Sequence, residues 1–162
     1  MKNYNLEELR KYTRNLLEER GVELEDIGRL VLEIQGKYEE NLTLDRAVEN
    51  VGAVLNKRET IYAILTGLAL DDLADRKLLP EPLQAIVESD NSLYGIDEII
   101  PLSIVNLHGS IGFTNYGYLD KEKLGILREL DNSKDQVNTF LDDLVAAIAA
   151  SAASRIAHSS EK

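Results

Sequence analysis

The stretch Phe140-Leu141-Asp142-Asp143-Leu144-Val145-Ala146-Ala147-Ile148-Ala149-Ala150-Ser151-Ala152-Ala153 decides the fold class. It contains no proline or glycine and is rich in leucine and alanine, so it reads as helix. We extend this last helix from a cap at Asn132 or Ser133 to about His158. Ala146, Ala147, Ala149, Ala150, Ala152 and Ala153 carry little bulk, so another helix can approach closely, inside the subunit or across an interface. Within it, Asp142-Asp143 is surrounded by Phe140, Leu141, Leu144 and Val145. Adjacent helical positions diverge by about 100°, so at least one carboxylate lies close to an apolar face. A carboxylate held there needs a partner, and a divalent cation shared with other carboxylates is one solution.

The helical spacing continues toward the amino terminus. Asn5 and Glu8 form a capping-box pattern opening a helix through Leu6, Leu9, Leu16 and Leu17, with Gly21 placed to end it. A second helix carries Leu24, Ile27, Leu30, Val31 and Ile34. Thr43 is the expected N-cap of a third, with the stripe Leu44, Ala47, Val48, Val51 and Leu55 and Asp45 in its first turn. After a break near Asn56, a fourth runs from Lys57 to about Arg76 through Ile61, Ile64, Leu65 and Leu68. Pro80 and Pro82 bracket a connection, Leu83 to Glu88 suits a short helix, and Ser89 to Ser92 reads as a turn. A helix is expected from about Ile96 to Ile111, with Pro101 tolerable only near its first turn. Gly109, Gly112 and Gly117 then interrupt the pattern, and Asp120 caps a short helix ending near Asp131. No internal repeat is present, and Ser159 to Lys162 forms a polar tail. With no strand alternation and no Asn-Gly or Asp-Gly hairpin signal, the chain reads as all-α, a compact multi-helix bundle forming one domain over residues 1–162.

Composition narrows the function. The 162 residues hold 18 lysines and arginines against 29 acids, a formal net charge of −11, and 44% of them are hydrophobic. That is apolar material for an ordinary core and argues against disorder. Such an acidic surface lacks the electrostatic attraction that supplies most nucleic-acid binding, so no nucleic-acid partner is expected. There is no cysteine, which excludes disulfides, thiolate metal sites and a cysteine nucleophile, and suits a cytoplasmic location. Met1 to Arg10 mixes charges with its apolar residues, unlike a signal peptide. Ile61 to Leu70 and Val145 to Ala153 are each about half of a membrane span, so none is expected.

Three acidic features lie in the second half: Asp97-Glu98, Asp120 and Asp142-Asp143. Asp97-Glu98 opens a helix and alone would be an ordinary dipole partner. Asp71-Asp72 is a comparable pair that we read as a solvated helix end. Asn106, His108, Thr114, Asn115 and Lys123 could orient a water or meet phosphate oxygens, although His108, set among Val105, Leu107 and Ile111, reads first as a hydrogen-bonded core histidine. The run Gly109 to Gly117 matches no P-loop or dinucleotide fingerprint. No nucleophile elbow supports a serine triad, and no zinc pattern exists.

Taken in order, three blocks resemble the phosphatidylglycerophosphatase A family, in its small soluble YutG or low-temperature-requirement-C branch. They are Ile96-Asp97-Glu98-Ile99, Gly112-Phe113 through Leu119-Asp120 and Lys123, and Phe140-Leu141-Asp142-Asp143-Leu144-Val145-Ala146. The resemblance implies Mg²⁺-dependent removal of the terminal phosphate of phosphatidylglycerophosphate or a related phosphate monoester. It makes Asp97, Glu98, Asp120, Asp142 and Asp143 the pool of metal ligands and Lys123 the phosphate contact, with Asp97, Asp120, Lys123 and Asp143 as catalytic residues. Two departures accompany it: the family's glycine- and proline-rich segment has no equivalent, and Gly117 stands where the membrane phosphatases carry a cation.

A surface at −11 is repelled by anionic lipid, so peripheral membrane contact is left open and would need a local basic or apolar patch, such as one near Lys121, Lys123 and Arg128. The alternative is a soluble helical homo-oligomer that keeps the scaffold, and perhaps a metal, without lipid phosphatase activity. An all-α nucleotide pyrophosphohydrolase ranks last, since its doubled acidic i, i+3 repeat is absent.

Overall fold

In a computed structural model, residues 4–160 are described. Lys2, on which part of the amino-terminal reading rests, and the tail residues Glu161 and Lys162 lie outside them. Among the described residues all regular structure is helical: α1 Leu6–Glu19, α2 Leu24–Gln35, α3 Leu44–Leu55, α4 Arg58–Asp75, α5 Leu83–Glu88, α6 Ile96–Val105, α7 Ser110–Glu122, α8 Ile126–Asp131 and α9 Leu141–Ser160.

Local chemistry sets the first four. The Asn5 side chain accepts from the Glu8 amide at 2.8 Å and Glu8 accepts from the Asn5 amide at 3.1 Å, so both halves of the capping box form. Gly21 follows α1 at φ +86°, a conformation glycine adopts without strain. Thr43 caps α3 through the Arg46 amide at 3.2 Å.

The centre of the molecule is α9, packed against α2, α3, α4, α6, α7 and α8. Every residue from Leu141 to Ser154 is buried. Alanine is what makes this possible, because six neighbouring helices close onto one axis only if side-chain bulk is low on several faces. The close-approach role expected for the alanines is thus met inside the subunit. On α4, a Cβ at Gly67 would meet Leu144 Cδ1 at 2.8 Å and Phe140 Cβ at 3.1 Å, so glycine lets that helix reach α9. Each fully buried leucine or isoleucine on this axis contributes about 1.5–3 kcal/mol.

The second half departs from expectation at three boundaries. α6 ends at Val105 instead of Ile111, and buried Pro101 sits in its second turn. The glycine-rich stretch is itself helix α7, since only Gly109, at φ +82°, uses a conformation that requires glycine. A Cβ at helical Gly112 would lie 3.2 Å from Val105 Cγ1, so that glycine serves close packing. Asp120 consequently lies in the last turn of α7 and caps nothing downstream, the following short helix being α8.

The last helix begins at Leu141, not near Ser133. Residues 132–140 are drawn out of helix by longer-range bonds. The Val137 amide donates to Asp75 at 2.6 Å, and Arg20 donates to the Val137 carbonyl while pairing with Asp75 at 2.8 Å. Asn138 donates to the Leu130 carbonyl at 2.9 Å and Thr139 to the Val87 carbonyl at 2.6 Å.

Candidate active site

A helix buried from its first residue cannot leave its leading amides to water. For α9 they are met by acids. Asp71, on α4, accepts from the Phe140 amide at 3.0 and 3.2 Å through its two oxygens, and from the Leu141 amide at 2.9 Å. Asp142 accepts from the Asp143 amide at 2.9 Å. The expectation that Asp71 is solvated is therefore corrected: it is fully buried, and only Asp72 faces solvent, paired with Arg76. Burial pushes the Asp71 carboxyl up to about 8, against the Phe140 amide, the Arg20 guanidinium and the Leu141 amide, which pull it down.

Above this cap sits the cluster of interest. Lys123 ends α7 in a left-handed conformation, φ +47°, that turns its side chain toward α9. Its Nζ lies 2.6 Å from Asp142, 3.1 Å from Asp120 and 3.5 Å from Asp143. Asp142 and Asp143 are both buried. One cation faces three carboxylates, and the surplus negative charge is visible in their protonation. Burial and the neighbouring Asp142 raise Asp143, while burial raises Asp142 and Lys123 opposes it. Burial acts to discharge Lys123, but Asp142, Asp143 and Asp120 outweigh it and hold the ammonium charged.

Of the expected site residues, Asp120, Lys123, Asp142 and Asp143 are brought together. Asp97, in the first turn of α6, is buried and raised by burial, with smaller contributions from Glu98 and Asp120. Glu98 faces solvent and, among the described residues, makes no ion pair with the cluster. His108 is partly buried, and burial together with Lys57 and Arg155 drives its imidazole down to about 4. Its Nε2 has no hydrogen-bond partner, and it is the His108 carbonyl that accepts from Ser154 at 2.7 Å. The surface patch expected at Lys121, Lys123 and Arg128 loses its middle member, because Lys123 points into the acids.

Sequence reasoning missed Asp71, Asp75 and Arg20. A signal existed for the first: Asp71 continues the buried α4 stripe of Ile61, Ile64 and Leu68.

A cleft of about 420 Å³ reaches Asp142, and Asp75, Glu88, Asp90, Asn138 and Thr139 are among its lining residues. Six acids and two lysines line it, so an anionic ligand enters only with cations. All candidate donors are carboxylate oxygens, the ligand type of hard divalent cations; Asp97 Oδ1 is buried without a hydrogen-bond partner, and Asp143 Oδ1 faces the Lys123 ammonium at 3.5 Å. In donor chemistry the set fits such a cation. Among the described residues no three acidic or histidine side chains already stand together as a metal cage.

The fold and site define an all-α protein whose central helix begins in a buried carboxylate–lysine cluster. The chain belongs to the phosphatidylglycerophosphatase A family, whose model matches residues 29–158. It is 65% identical over 158 residues to the uncharacterized protein YpjQ of Bacillus subtilis, covering 98% of this chain and 89% of that one. It is 54% identical over 157 residues to the uncharacterized protein YutG of the same organism, covering 96% and 95%. The crystal structure of YpjQ superposes with a TM-score of 0.95 at 63% identity over 98% of each chain. That of the low temperature requirement C protein from Listeria monocytogenes gives 0.93 at 55% identity over 95% of this chain and 98% of that chain. Among the described residues no helix is long and apolar enough to cross a membrane.

Proposed function

We propose that the protein is a Mg²⁺-dependent phosphoric monoester hydrolase of the phosphatidylglycerophosphatase type, acting on phosphatidylglycerophosphate or a related phosphorylated glycerolipid. The observation that carries this reading is the gathering of Asp120, Lys123, Asp142 and Asp143, from two separate sequence blocks, at the buried start of α9 in a chain of this family. Asp97, Asp120, Asp142 and Asp143 would hold the metal, with Glu98 at the rim. Bound there, Mg²⁺ would screen the phosphate's charge and activate water. The chain's own groups do the rest. Lys123, held by Asp120 and Asp142, presents an ammonium to the phosphate oxygens. Asp97, whose Oδ1 is unpartnered, and Asp143 orient the attacking water. Water adds at phosphorus, the ester P–O bond breaks, and the alcohol leaves with a proton.

The test is phosphate release from phosphatidylglycerophosphate, a short-chain analogue and nucleoside triphosphates, with and without Mg²⁺, by wild type and Asp143→Asn. Metal-dependent release from the lipid, lost in the variant, supports the reading. Equal activity in the variant, or release from nucleotides alone, overturns it.

A second reading, a helical homo-oligomer keeping the scaffold without the reaction, has one observation in its favour. α6 is apolar on its outer side, with Ile96 and Ile99 exposed beside Leu93, which is 91% exposed. A single monomer mass in light scattering at high concentration removes it.

A further inference from the structure

Asp142 has no oxygen to spare. Its Oδ1 accepts from the Asp143 amide at 2.9 Å, and its Oδ2 accepts from the Lys123 ammonium at 2.6 Å. The same ammonium lies 3.1 Å from Asp120 Oδ1 and 3.5 Å from Asp143 Oδ1, so a single positive charge sits among carboxylates of α7 and α9. Carboxylate oxygens converging on one point are what a hard divalent cation takes, and here a lysine holds that point. A second cation cannot share Asp142 Oδ2 with it cheaply, because the carboxylate is buried and two positive charges a few ångströms apart repel strongly away from water. The lysine itself is exchangeable. Its side chain is 24% exposed while Asp142 and Asp143 are buried, and an ammonium on a flexible four-carbon stem can turn aside without moving α7. The backbone at Lys123, φ +47°, is one where helices usually end in glycine, so a lysine there is held by what its side chain reaches.

We propose that Lys123 stands in for the divalent cation in the cation-free protein: it occupies Asp142 and Asp143, gives them up when the cation binds, and keeps Asp120, three residues earlier on α7. One event then frees Asp142 as a ligand and turns the ammonium toward the phosphate. The turn toward phosphate rests on the phosphatase reading above. The exchange on Asp142 does not.

The exchange is read in the wild type carrying ¹³C,¹⁵N-lysine, titrated with Mg²⁺ alone. In EDTA the Lys123 ammonium, bonded to Asp142, should give slowly exchanging Nζ–H signals, assigned by their loss in Lys123→Arg, and saturating Mg²⁺ should erase them. Calorimetry gives the Mg²⁺ affinity, which should tighten by at least about tenfold in Lys123→Met, where no ammonium has to be displaced first. Ammonium signals that persist while calorimetry shows Mg²⁺ bound overturn the proposal. So does a wild type that binds no Mg²⁺, or a Lys123→Met that binds it no more tightly than wild type. Should Lys123→Met fail to fold, the wild-type signals and a crystal structure of the wild type grown with Mg²⁺ decide. Lys123 Nζ more than about 4 Å from Asp142 Oδ2 there supports the exchange, and an intact ion pair overturns it. Release of Lys123 in a protein that hydrolyses no phosphate ester keeps the exchange and removes the phosphatase reading. Mg²⁺-dependent hydrolysis with Lys123 still on Asp142 does the reverse.

Discussion

Replacing Asp71 tests whether a carboxylate on one helix holds the start of another. In the folded chain it is the partner of two buried backbone amides, Phe140 at 3.0 and 3.2 Å and Leu141 at 2.9 Å. Asp71→Ala strips both, and each unsatisfied buried amide costs about 1–3 kcal/mol. Relief of the desolvated carboxyl, whose pKa burial has raised to about 8, offsets part of this. The expected net loss is roughly 3 kcal/mol, which for a domain of this size lowers Tm by about 6–12 °C. Asp71→Asn keeps one acceptor but turns an NH₂ group toward a donor, and should fall between wild type and alanine. Asp72→Asn is the control: that side chain is 58% exposed and paired only with Arg76, so its loss should stay within about 0.5 kcal/mol. The assay is urea unfolding followed by far-UV circular dichroism, at pH 7 in EDTA. If Asp71→Ala and Asp72→Asn unfold at the same urea concentration, the cap does not support α9 and the reasoning fails.

Other substitutions separate stability from chemistry. Asp143→Asn should abolish turnover while raising the metal-free Tm by a few degrees, roughly 1 kcal/mol, because it removes one of three carboxylates crowded around Lys123; thermal melts and phosphate release read the two effects. Lys123→Met should destabilise by about 3–5 kcal/mol, since it leaves the buried Asp142 carboxylate without a cation, and denaturant titration would reveal a smaller loss. Gly117→Arg restores a cation where the membrane phosphatases carry one. Nothing stands within 4 Å of its Cβ, so helicity should gain about 0.5–1 kcal/mol, and under the phosphatase reading KM for the phosphate ester should fall. The pH profile has two opposing limbs. Asp71 binds its proton at about 8 when folded and at the ordinary 3.8 when unfolded, so lowering pH from 8 stabilises the metal-free protein. His108, at about 4 folded against 6.5 unfolded, does the reverse once pH drops below 6.5. Asp142 and Asp143, also raised by burial, act in the same direction as Asp71, so urea midpoints should rise from pH 8 to about 6.5 and more gradually below it. Continuous loss of stability on acidification from pH 8 would contradict this.

The sequence made the helices legible wherever one stripe met one core. Asn5, Thr43 and the Asn56 break marked α1 to α4 because caps are local chemistry, satisfied within a few residues. The failures share one cause, which is long-range bonding. Residues 132–140 have helical patterning, yet Asp71, Asp75 and Arg20 hold their backbone from α4 and the end of α1, up to 117 residues away in sequence. The glycines of α7 looked like interruptions because glycine lowers helix propensity, whereas Gly112 is needed against Val105 and only Gly109 breaks the chain. Within the site, the acids drew attention through unusual placement in apolar surroundings. Asp71 continues the α4 stripe, but beside Asp72 it reads as a helix end, because the backbone amides it serves lie 69 and 70 residues away.

The burial of α9 and the chemistry of the site follow from the same requirement. A helix that enters the core at its first residue needs acceptors for its leading amides, and acids at that end also gain from the helix dipole. Asp71 and Asp142 supply those acceptors. Asp143 accepts no hydrogen bond from the α9 amides, and its Oδ1 faces the Lys123 ammonium at 3.5 Å instead, so capping alone does not account for it. Together with Asp120 and Asp97 it puts more negative charge at this end of the helix than Lys123 balances. Folding needs the first pair, and a bound cation with its phosphate would use the remainder. Substitutions at Asp71 should therefore lower Tm before they touch turnover, and substitutions at Asp143 should abolish turnover without lowering Tm.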